Sequence, residues 1–530
     1  MKHPDPPTPS RIADRTAAQN VDPTATPNVD RAAEPPARHT TAHNVDQTAT
    51  PDLDQAAETT AEQTATQNVD RAAEPTAKTT AAQTADRTVG PTAEQTAGRI
   101  VGRRSLLVAG GVAAGAAVIA TTVPTAAYAT PTASGGVADS ASASPQRGVS
   151  DWPDPRRVWP LWPRRFVARR GSDFTIGGTP WRFAGTNTYY LHYKSHYMID
   201  NALLDAAALG LKVVRCWVFS DGDGSGTGGV SLQPAPYEYN EAGFEAFDYA
   251  VFKAGQLGIR LVVALTNNWG DFGGIPQYAT WFGAEHDDFF RRADIKAVYQ
   301  AYARHVINRR NRYTGVPYHQ EPTVLTWELA NEPRCPSDKS GDTLVAWADE
   351  MSRLVKRLAP RQLVAVGDEG FYGRADDPSY PYSAWEGVAW PRLIALPAVD
   401  YGTYHLYPQG WGNQTVDWAT QWIVDHITDG RRIGKPTVLE EFGWNPDNDN
   451  NNTDEAAQNA VRDPIYLTWT TAVEHNGGNG DQFWLLTSRQ NDGTLYPNYD
   501  GYRVVYPSST AALLAEHAKR MADATAAGGG

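Results

Sequence analysis

Residues 259–265 read IRLVVAL, an almost unbroken apolar run with the length of one β-strand. Such a run is typical of a parallel strand that is buried on both faces. Seven other short apolar runs share this character, at residues 181–187, 212–219, 323–331, 363–367, 401–407, 436–443 and 482–487. The longer stretches between the runs are amphipathic and predict helices at residues 198–209, 242–257, 294–310, 342–358 and 463–475.

Eight strands that alternate with helices predict an α/β fold of the (β/α)8 type, a TIM barrel. The segment exceeds the roughly 250 residues typical of that barrel, which leaves room for long loops. A doubly wound open sheet would show a similar alternation, but no Gly-rich phosphate-binding loop follows the first strand. In a barrel, the reactive residues lie where the strands end and the following loops begin.

Composition separates a folded part from an N-terminal extension. Residues 1–100 contain no Trp, Tyr or Phe, and the octapeptide NVDRAAEP occurs twice, at residues 28–35 and 68–75. Because these repeats lack the apolar positions that stacking would bury, we predict that residues 1–100 are disordered. All 17 Trp follow residue 150, and we place one catalytic domain at residues 159–525.

The segment 101–129 has the pattern of an export signal. Arg103 and Arg104 precede an apolar run at residues 106–123, and Ala127 and Ala129 form the small-residue pattern that a signal peptidase reads. We predict a twin-arginine signal peptide, a flexible linker at residues 130–158 and a secreted, extracellular protein. A transmembrane helix is the alternative interpretation of the apolar run. Export signals normally begin a chain, so a second hypothesis is that translation starts near Val89.

Charge and residue counts exclude some partners. The net charge of −13 argues against nucleic acid binding. The sequence pattern shows no basic amphipathic helix, so we do not expect a stable membrane association. We expect a monomer that needs no cofactor or metal. The oxygen-rich loop 447–455 lacks the spacing of a known calcium loop, so a solvated turn is the preferred interpretation. The two cysteines, Cys216 and Cys335, form either one bridge or two buried thiols.

Two glutamates stand at the ends of predicted strands. The run at residues 323–331 leads into Asn331-Glu332-Pro333, and the run at residues 436–443 contains Glu441 just before Phe-Gly. A carboxylate at such a place is costly unless it is solvated or used. Either glutamate alone would indicate an ion pair at the barrel rim. Together they match a glycosidase, in which one carboxyl with a raised pKa donates a proton and the other attacks the anomeric carbon.

The chain resembles glycoside hydrolase family 5, and within it the endo-β-1,4-mannanases, from about residue 174 to about residue 500. The strand-end glutamates carry this resemblance together with an ordered set of motif residues: Arg215 in VVRCWVF, Trp269 in NNWGDFGG, Asn331 and Arg334 in WELANEPRC, His405 and Tyr407 in YGTYHLYP, Trp411 shortly after, and Trp484 in QFWLL. Some relatives have a second Cys shortly after the Asn-Glu-Pro-Arg-Cys stretch, whereas in this chain Pro-Ser-Asp follows Cys335.

The resemblance implies a role for each carboxyl group. Glu332 would act as acid and base, and Glu441 would form a covalent glycosyl-enzyme, so that the anomeric configuration is retained. In such enzymes the two carboxyls are about 5–5.5 Å apart. Glu440 is adjacent to Glu441, and in a regular strand its side chain would point to the opposite face. We therefore expect Glu440 to be structural.

The supporting residues have physically plausible tasks at a retaining centre. Arg215 can bind a carboxylate, Tyr407 can donate to the nucleophile, and His405 lies on the same strand face as Tyr407. Asn331 suits a contact to the 2-hydroxyl of the sugar. The resemblance places Arg334 on the leaving-group side.

An indole offers the apolar face of a sugar a flat platform. We expect Trp484 to lie under the cleaved sugar, with Trp269 and Trp411 beside it and Trp281 and Trp444 as weaker candidates. Three others are assigned to core packing: Trp217, Trp347 and Trp469.

The expected activity is retaining endo-hydrolysis of β-1,4-mannosidic bonds in mannan, galactomannan or glucomannan. Four alternatives remain open from the residues: the same chemistry on β-glucan or xylan, an exo-acting β-mannosidase, a non-catalytic carbohydrate-binding protein, and a structural wall protein held by the low-complexity tail.

Overall fold

The computed structural model describes residues 161–446 and 454–527, with side chains up to residue 525. The predictions for residues 1–100, 101–129, 130–158 and for most of the loop 447–455 lie outside these residues, as does the start-site hypothesis. Within the described part, none of the helices has the length and apolar character needed to cross a membrane.

Eight parallel strands form the central sheet and confirm the predicted barrel. We number them β1 to β8 in chain order: Phe183–Asn187, Val213–Trp217, Arg260–Ala264, Val324–Glu328, Leu363–Ala365, Gly402–Leu406, Thr437–Phe442 and Gly480–Phe483. Their spatial order is β5-β4-β3-β2-β1-β8-β7-β6. Between β5 and β6 the backbone N–H of Asp400 donates to Val364 at 2.8 Å and that of His405 to Glu369 at 3.1 Å, which joins the two edges.

Helices surround the strands. We number the α-helices α1 to α9: His196–Ala208, Glu245–Leu257, Gly274–Trp281, Ala293–Asn308, Asp342–Leu358, Trp390–Ile394, Val416–Ile433, Glu455–His475 and Ser509–Ala527. Single 3₁₀ turns lie at Tyr189–His192, Ser225–Thr227, His286–Phe290, Tyr318–Gln320 and Tyr380–Tyr382. The five predicted helices are present as α1, α2, α4, α5 and α8; α5 has the predicted ends, and each of the other four is shifted at one end or both. The sequence analysis did not predict α3, α6, α7 or α9.

Two predicted runs each contain parts of two sheets. Thr179–Trp181 belongs with Val167–Arg170 and Asp173–Ile176 to a three-stranded antiparallel sheet ahead of β1. Leu486–Thr487, after β8, pairs instead with Val504–Val505. The first run thus begins before β1, and the last run extends past β8. A continuous apolar run does not show where the barrel strand within it begins or ends.

The antiparallel sheet closes the bottom of the barrel. Phe174 from this sheet is buried and meets the ring of Tyr401 edge-on, with 5.3 Å between the centroids. The same apolar cluster includes residues at the start of several barrel strands: Phe183, Val213, Leu325, Leu363 and Val438. Because this end is filled by apolar side chains, the opposite end is where polar residues can gather.

The cysteine alternatives are decided by the structure. Cys216 and Cys335 are both buried, and both are free thiols. Burial raises the pKa of Cys335 to about 12, so its thiol stays protonated at neutral pH.

A buried histidine fastens the C-terminal helix α9 to the barrel. The ring nitrogens of His517 lie 2.6 Å from Glu474 in α8 and 2.7 Å from Asp481 in β8. Burial alone would lower the pKa of His517, but the carboxylates of Asp481 and Glu474 raise it to about 9. Arg520 also binds Glu474, at 2.9 Å.

This contact predicts a pH dependence of stability. Because the folded-state pKa of His517 exceeds the unfolded value of about 6.5, its stabilisation is complete below that pH and is lost as the pH rises towards 9. We expect His517→Gln to lower the melting temperature at pH 6 and to flatten its decline between pH 6.5 and 9. The exposed His475 provides the matched control, His475→Gln. An unchanged slope in His517→Gln would contradict the assignment.

Candidate active site

The two predicted catalytic glutamates meet at the carboxyl ends of the strands. Glu332 follows β4 and Glu441 lies in β7, and both are buried, at 1% and 0% exposure. One oxygen of each carboxyl group lies within 4.8 Å of the other. This spacing agrees with the roughly 5–5.5 Å of a retaining pair and not with the roughly 6.5–9.5 Å of an inverting pair.

The backbone holds Glu332 in an unusual conformation. Its φ is 51°, in the left-handed region that residues with a side chain rarely adopt. Its backbone N–H donates to the carbonyl of Gly367 at 2.8 Å, just beyond β5, while that of Asn331 donates to Thr266 beyond β3. The neighbouring strand ends therefore fix the turn that aims the Glu332 carboxyl inward. A strained backbone conformation persists only when the surrounding structure holds it in this way.

Arg215 in β2 is the centre of the hydrogen-bond network below these carboxyls. Its guanidinium donates to Glu328 at 2.8 and 2.7 Å and to Glu441 at 2.6 Å. It also donates to the side-chain oxygens of Asn331 at 2.7 Å and Asn187 at 3.1 Å. The predicted contact between Arg215 and a carboxylate is confirmed, and a buried ion pair of this kind fixes the position of the Glu441 carboxyl.

The expectation that the Glu440 side chain points to the opposite face was wrong, whereas its structural role stays a prediction. Its side chain points into the barrel, with an oxygen 3.7 Å from the Nε of Arg215 and 3.8 Å from His405. The cause is a bulge: Leu439 pairs with Tyr404 and Glu441 with His405, which leaves Glu440 as an extra residue. A bulge breaks the alternation of strand faces, so consecutive side chains can face the same interior.

His405 in β6 links the carboxyl groups. Its Nδ1 lies 2.8 Å from Glu332 and 3.7 Å from Glu441. Burial alone would lower the pKa of His405, but Glu441, Glu332 and Glu440 raise it to about 10. The ring is therefore a cation at neutral pH and places a positive charge beside both predicted catalytic groups.

Glu332, His405 and Glu441 are also the one group in the described residues that offers metal-ligand atoms close together. Each of these side chains also has a partner within the protein: His405 lies 2.8 Å from Glu332, and Arg215 and Tyr407 bind Glu441.

Asn331 has both polar ends engaged within the protein. Its Oδ1 accepts from Arg215, and its Nδ2 donates to the side chain of Asn267 at 2.9 Å. The network fixes its position next to Glu332. Its predicted contact to a sugar hydroxyl stays a prediction.

Tyr407 contacts Glu441, the predicted nucleophile. Its hydroxyl donates to Oε2 of Glu441 at 2.7 Å. Arg215 donates to the other oxygen, Oε1, at 2.6 Å. The two carboxylate oxygens of Glu441 thus have different donors, which fixes the plane of the group.

We expect Tyr407→Phe to lower kcat roughly ten- to hundredfold with little change in KM, because a hydrogen bond to a charged group contributes about 1.5–3 kcal/mol. Initial rates on a soluble mannan, the substrate that the resemblance implies, measure this. Tyr404 lies in β6, three residues before Tyr407, with its ring stacked on His426, so Tyr404→Phe is the control and should remain active. Equal losses in both variants would contradict the role of the Tyr407 hydroxyl.

Trp269 has a contact that the sequence analysis did not predict. Its indole N–H donates to the Glu332 carboxyl at 2.6 Å, on the oxygen opposite to the one near His405. The residue is therefore a hydrogen-bond partner of the predicted acid/base as well as a neighbour of the site.

Trp484 directly follows β8 and is held on two sides. Its indole N–H donates to Asp500 at 2.7 Å, and its ring stacks on Tyr189 with 5.7 Å between the centroids. Trp411 packs against Phe371 at 5.3 Å and is 5% exposed. Both rings are rigidly placed at the strand ends, while their contact with sugar stays a prediction.

The other tryptophans divide much as expected. The three assigned to the core are buried: Trp217, Trp347 and Trp469. The two weaker candidates are partly buried and lean on other rings, Trp281 on Tyr278 and Trp444 on Trp469.

Arg334 forms a second charged group beside the first. It binds Glu369 through two hydrogen bonds of 2.6 and 2.8 Å, and its guanidinium lies 4.9 Å from the centroid of Trp269. Burial and the nearby Glu332 raise the pKa of Glu369 to about 7 against the effect of Arg334.

Sequence reasoning missed Glu328 and Glu369, which bind the two functional arginines. A signal existed for Glu328, since a carboxylate inside the apolar strand β4 needs a buried cation. Glu369 follows β5 in an irregular segment, and no comparable pattern pointed to it.

Comparisons with known proteins agree with this geometry. The family model described as GH family 5 beta-mannosidase-like matches residues 164–489. Mannan endo-1,4-β-mannosidase 8 of Oryza sativa subsp. japonica is 35% identical over 372 residues, which span 66% of this chain and 97% of the rice protein.

Two solved structures are similar over most of their length. The endo-1,4-β-D-mannanase of Thermotoga petrophila RKU-1 is 43% identical with a TM-score of 0.58, covering 64% of this chain and 99% of that one. The endo-1,4-β-mannanase of Rhizomucor miehei is 33% identical with a TM-score of 0.61, covering 68% and 99%. This chain therefore belongs to the β-mannosidase-like group of glycoside hydrolase family 5.

Proposed function

We infer that this protein is an endo-β-1,4-mannanase that hydrolyses its substrate with retention of configuration. The observation that carries this inference is the buried pair of Glu332 and Glu441, whose carboxyl oxygens approach within 4.8 Å. The relatives from rice and from Thermotoga petrophila, which this chain matches over nearly their full length, bear the names of endo-mannanases.

The first chemical step breaks the glycosidic bond. A carboxylate oxygen of Glu441 forms a bond to the anomeric carbon while the bond to the leaving oxygen breaks, and Glu332 gives its proton to that oxygen. Glu332 then carries a negative charge. Protonated His405 at 2.8 Å and the indole N–H of Trp269 at 2.6 Å stabilise this carboxylate.

The second step releases the sugar. Glu332 takes a proton from a water molecule, whose oxygen attacks the anomeric carbon as the bond to Glu441 breaks. Two inversions at the same carbon restore the β configuration. Arg215 and Tyr407 bind the Glu441 carboxylate before and after the covalent intermediate.

The substrate class follows from the relatives together with the site. Mannan, galactomannan and glucomannan all contain the β-1,4-mannosyl units that the relatives' names specify. The carboxylate chemistry is shared by enzymes acting on other β-glycans, so the loops and platforms decide the preference.

A cavity of about 430 Å³ is lined by the loops that follow β1, β2 and β8. Lining residues on these loops include Tyr193, Lys194, Gly226 and Asn491. Because Glu332 and Glu441 lie at the same ends of the strands, this cavity offers space for further sugars of an extended chain.

The test is hydrolysis of linear mannan, galactomannan, carboxymethylcellulose and xylan by the purified protein. We expect rapid release of reducing ends from the two mannans, with viscosity falling early, because internal cuts shorten the polymer before many ends form. Activity on glucan or xylan alone would overturn the substrate. Slow viscosity loss with release of single mannose units would identify an exo-acting enzyme, and binding without cleavage a non-catalytic protein.

We further propose that the protein acts outside the cell as a monomer without stable membrane attachment. The support for export is the Arg103-Arg104 pair, the apolar run after it and the Ala-Tyr-Ala site. Changing both arginines to lysine should keep the protein in the producing cells, as measured by activity in medium and cell fractions. Elution at the mass of one chain in size-exclusion chromatography tests the monomer.

A further inference from the structure

One tryptophan at the barrel rim differs from the others. Trp385 is 54% exposed and lies in the long segment between β5 and α6. Among the described residues it is the one tryptophan whose surface is more than half open to solvent. An exposed indole contributes little to the core, and an aromatic ring with an open face is a common platform for a ligand.

Contacts connect the centre to this ring in steps. The Trp269 indole binds Glu332 at 2.6 Å, and the Arg334 guanidinium lies over the Trp269 ring. Arg334 also donates to the hydroxyl of Tyr380 at 3.1 Å, and the Tyr380 ring meets that of Trp385 at 6.2 Å between centroids. These contacts link Trp385 to Glu332 through Trp269, Arg334 and Tyr380.

The segment that carries Trp385 is fastened to the segment that follows Glu332. The backbone N–H of Cys335 donates to the carbonyl of Glu386 at 2.9 Å. The Glu386 side chain lies 3.2 Å from Arg334 and accepts from the Tyr380 hydroxyl at 2.5 Å. Trp385 is thus exposed on a loop whose position is fixed relative to the acid/base, which is what a preorganised binding surface requires.

The side of the cleft follows from the chemistry. The acid must reach the oxygen that leaves with the departing part of the chain, so the departing sugars lie beside Glu332. The covalently held sugar lies towards Glu441 and Trp484. Because the contacts that lead to Trp385 begin at Glu332 and not at Glu441, we assign Trp385 to the departing side.

We propose that Trp385 is a platform for a β-linked hexose on the departing side of the substrate, beyond the sugar whose leaving oxygen Glu332 protonates. The proposal rests on the proposed function and adds a specificity-determining residue to it. The ring supplies an apolar face for the C–H side of a sugar, while Arg334 and Glu386 supply polar partners nearby.

The experiment compares long and short substrates in Trp385→Ala. We expect kcat/KM to fall roughly three- to tenfold on mannan and mannohexaose, in line with the contribution of one aromatic contact, and to stay unchanged on mannotriose, which is too short to reach the ring. Trp385→Phe should recover part of the loss. Tyr197 is an exposed ring on α1, at 47%, and Tyr197→Ala is the matched control.

The cleavage pattern gives a second measurement. With mannohexaose labelled at its reducing end, Trp385→Ala should shift cleavage towards that end, since fewer sugars are held on the departing side. Unchanged kinetics and pattern, or equal losses on long and short substrates, would overturn the role of Trp385 alone. A wild-type protein that cleaves no mannan would overturn the proposed function and this inference with it.

Discussion

Glu441→Ala is expected to lower kcat on mannan by about 10⁴-fold or more, the largest effect of any single substitution in this chain. The substitution removes the oxygen that bonds to the anomeric carbon, so neither chemical step can proceed by the normal path. It also leaves a space beside Arg215 that a small anion can fill. With an activated aryl β-mannoside, added azide should restore turnover and give the α-mannosyl azide, because only one inversion then occurs.

Glu440→Ala is the matched comparison for this result. Glu440 lies in the same network but has its carboxyl 3.7 Å from Arg215, against 2.6 Å for Glu441. Its loss should disturb the network and slow the enzyme without any rescue by azide. Azide rescue of Glu440→Ala, and none for Glu441→Ala, would exchange the two assignments. Melting curves of both variants should be recorded, because each substitution leaves buried positive charge with one partner fewer.

Glu332→Ala is expected to show the second-largest effect, about a 10²- to 10⁴-fold loss of kcat on polymeric mannan. The loss should depend on the leaving group. A dinitrophenyl mannoside departs without a proton, so its first step should survive and the covalent intermediate should accumulate as a burst. Azide should then attack that intermediate and give the β-mannosyl azide, the opposite product to that from Glu441→Ala.

The two azide products together separate the roles of the carboxyls. An α product from Glu332→Ala would mean that Glu332 is the nucleophile and that the assignment is reversed. Trp269→Phe is a useful control, since it keeps a ring in place and removes only the indole N–H that binds Glu332. It should lower activity far less than Glu332→Ala and give no change of product.

The strands and the two catalytic candidates could be predicted because their signals are local. Parallel strands buried on both faces read as short apolar runs, and all eight are present where the sequence indicated them. Glu332 and Glu441 stand out because a carboxylate at the end of such a run is costly unless it has a task. The helix α6 was not predicted because its five residues are too few to show a helical period.

By itself, the sequence determined the barrel, the face that carries the chemistry and the pair of carboxyls, since apolar period and strand-end position are properties of short segments. Only the tertiary structure decided which groups surround that pair. A bulge in β7 turned Glu440 into the interior, Arg215 took Glu328 as its bidentate partner, and Trp269 bound the acid/base. These contacts join residues from different strands, and their geometry depends on register and barrel closure, which local sequence does not encode.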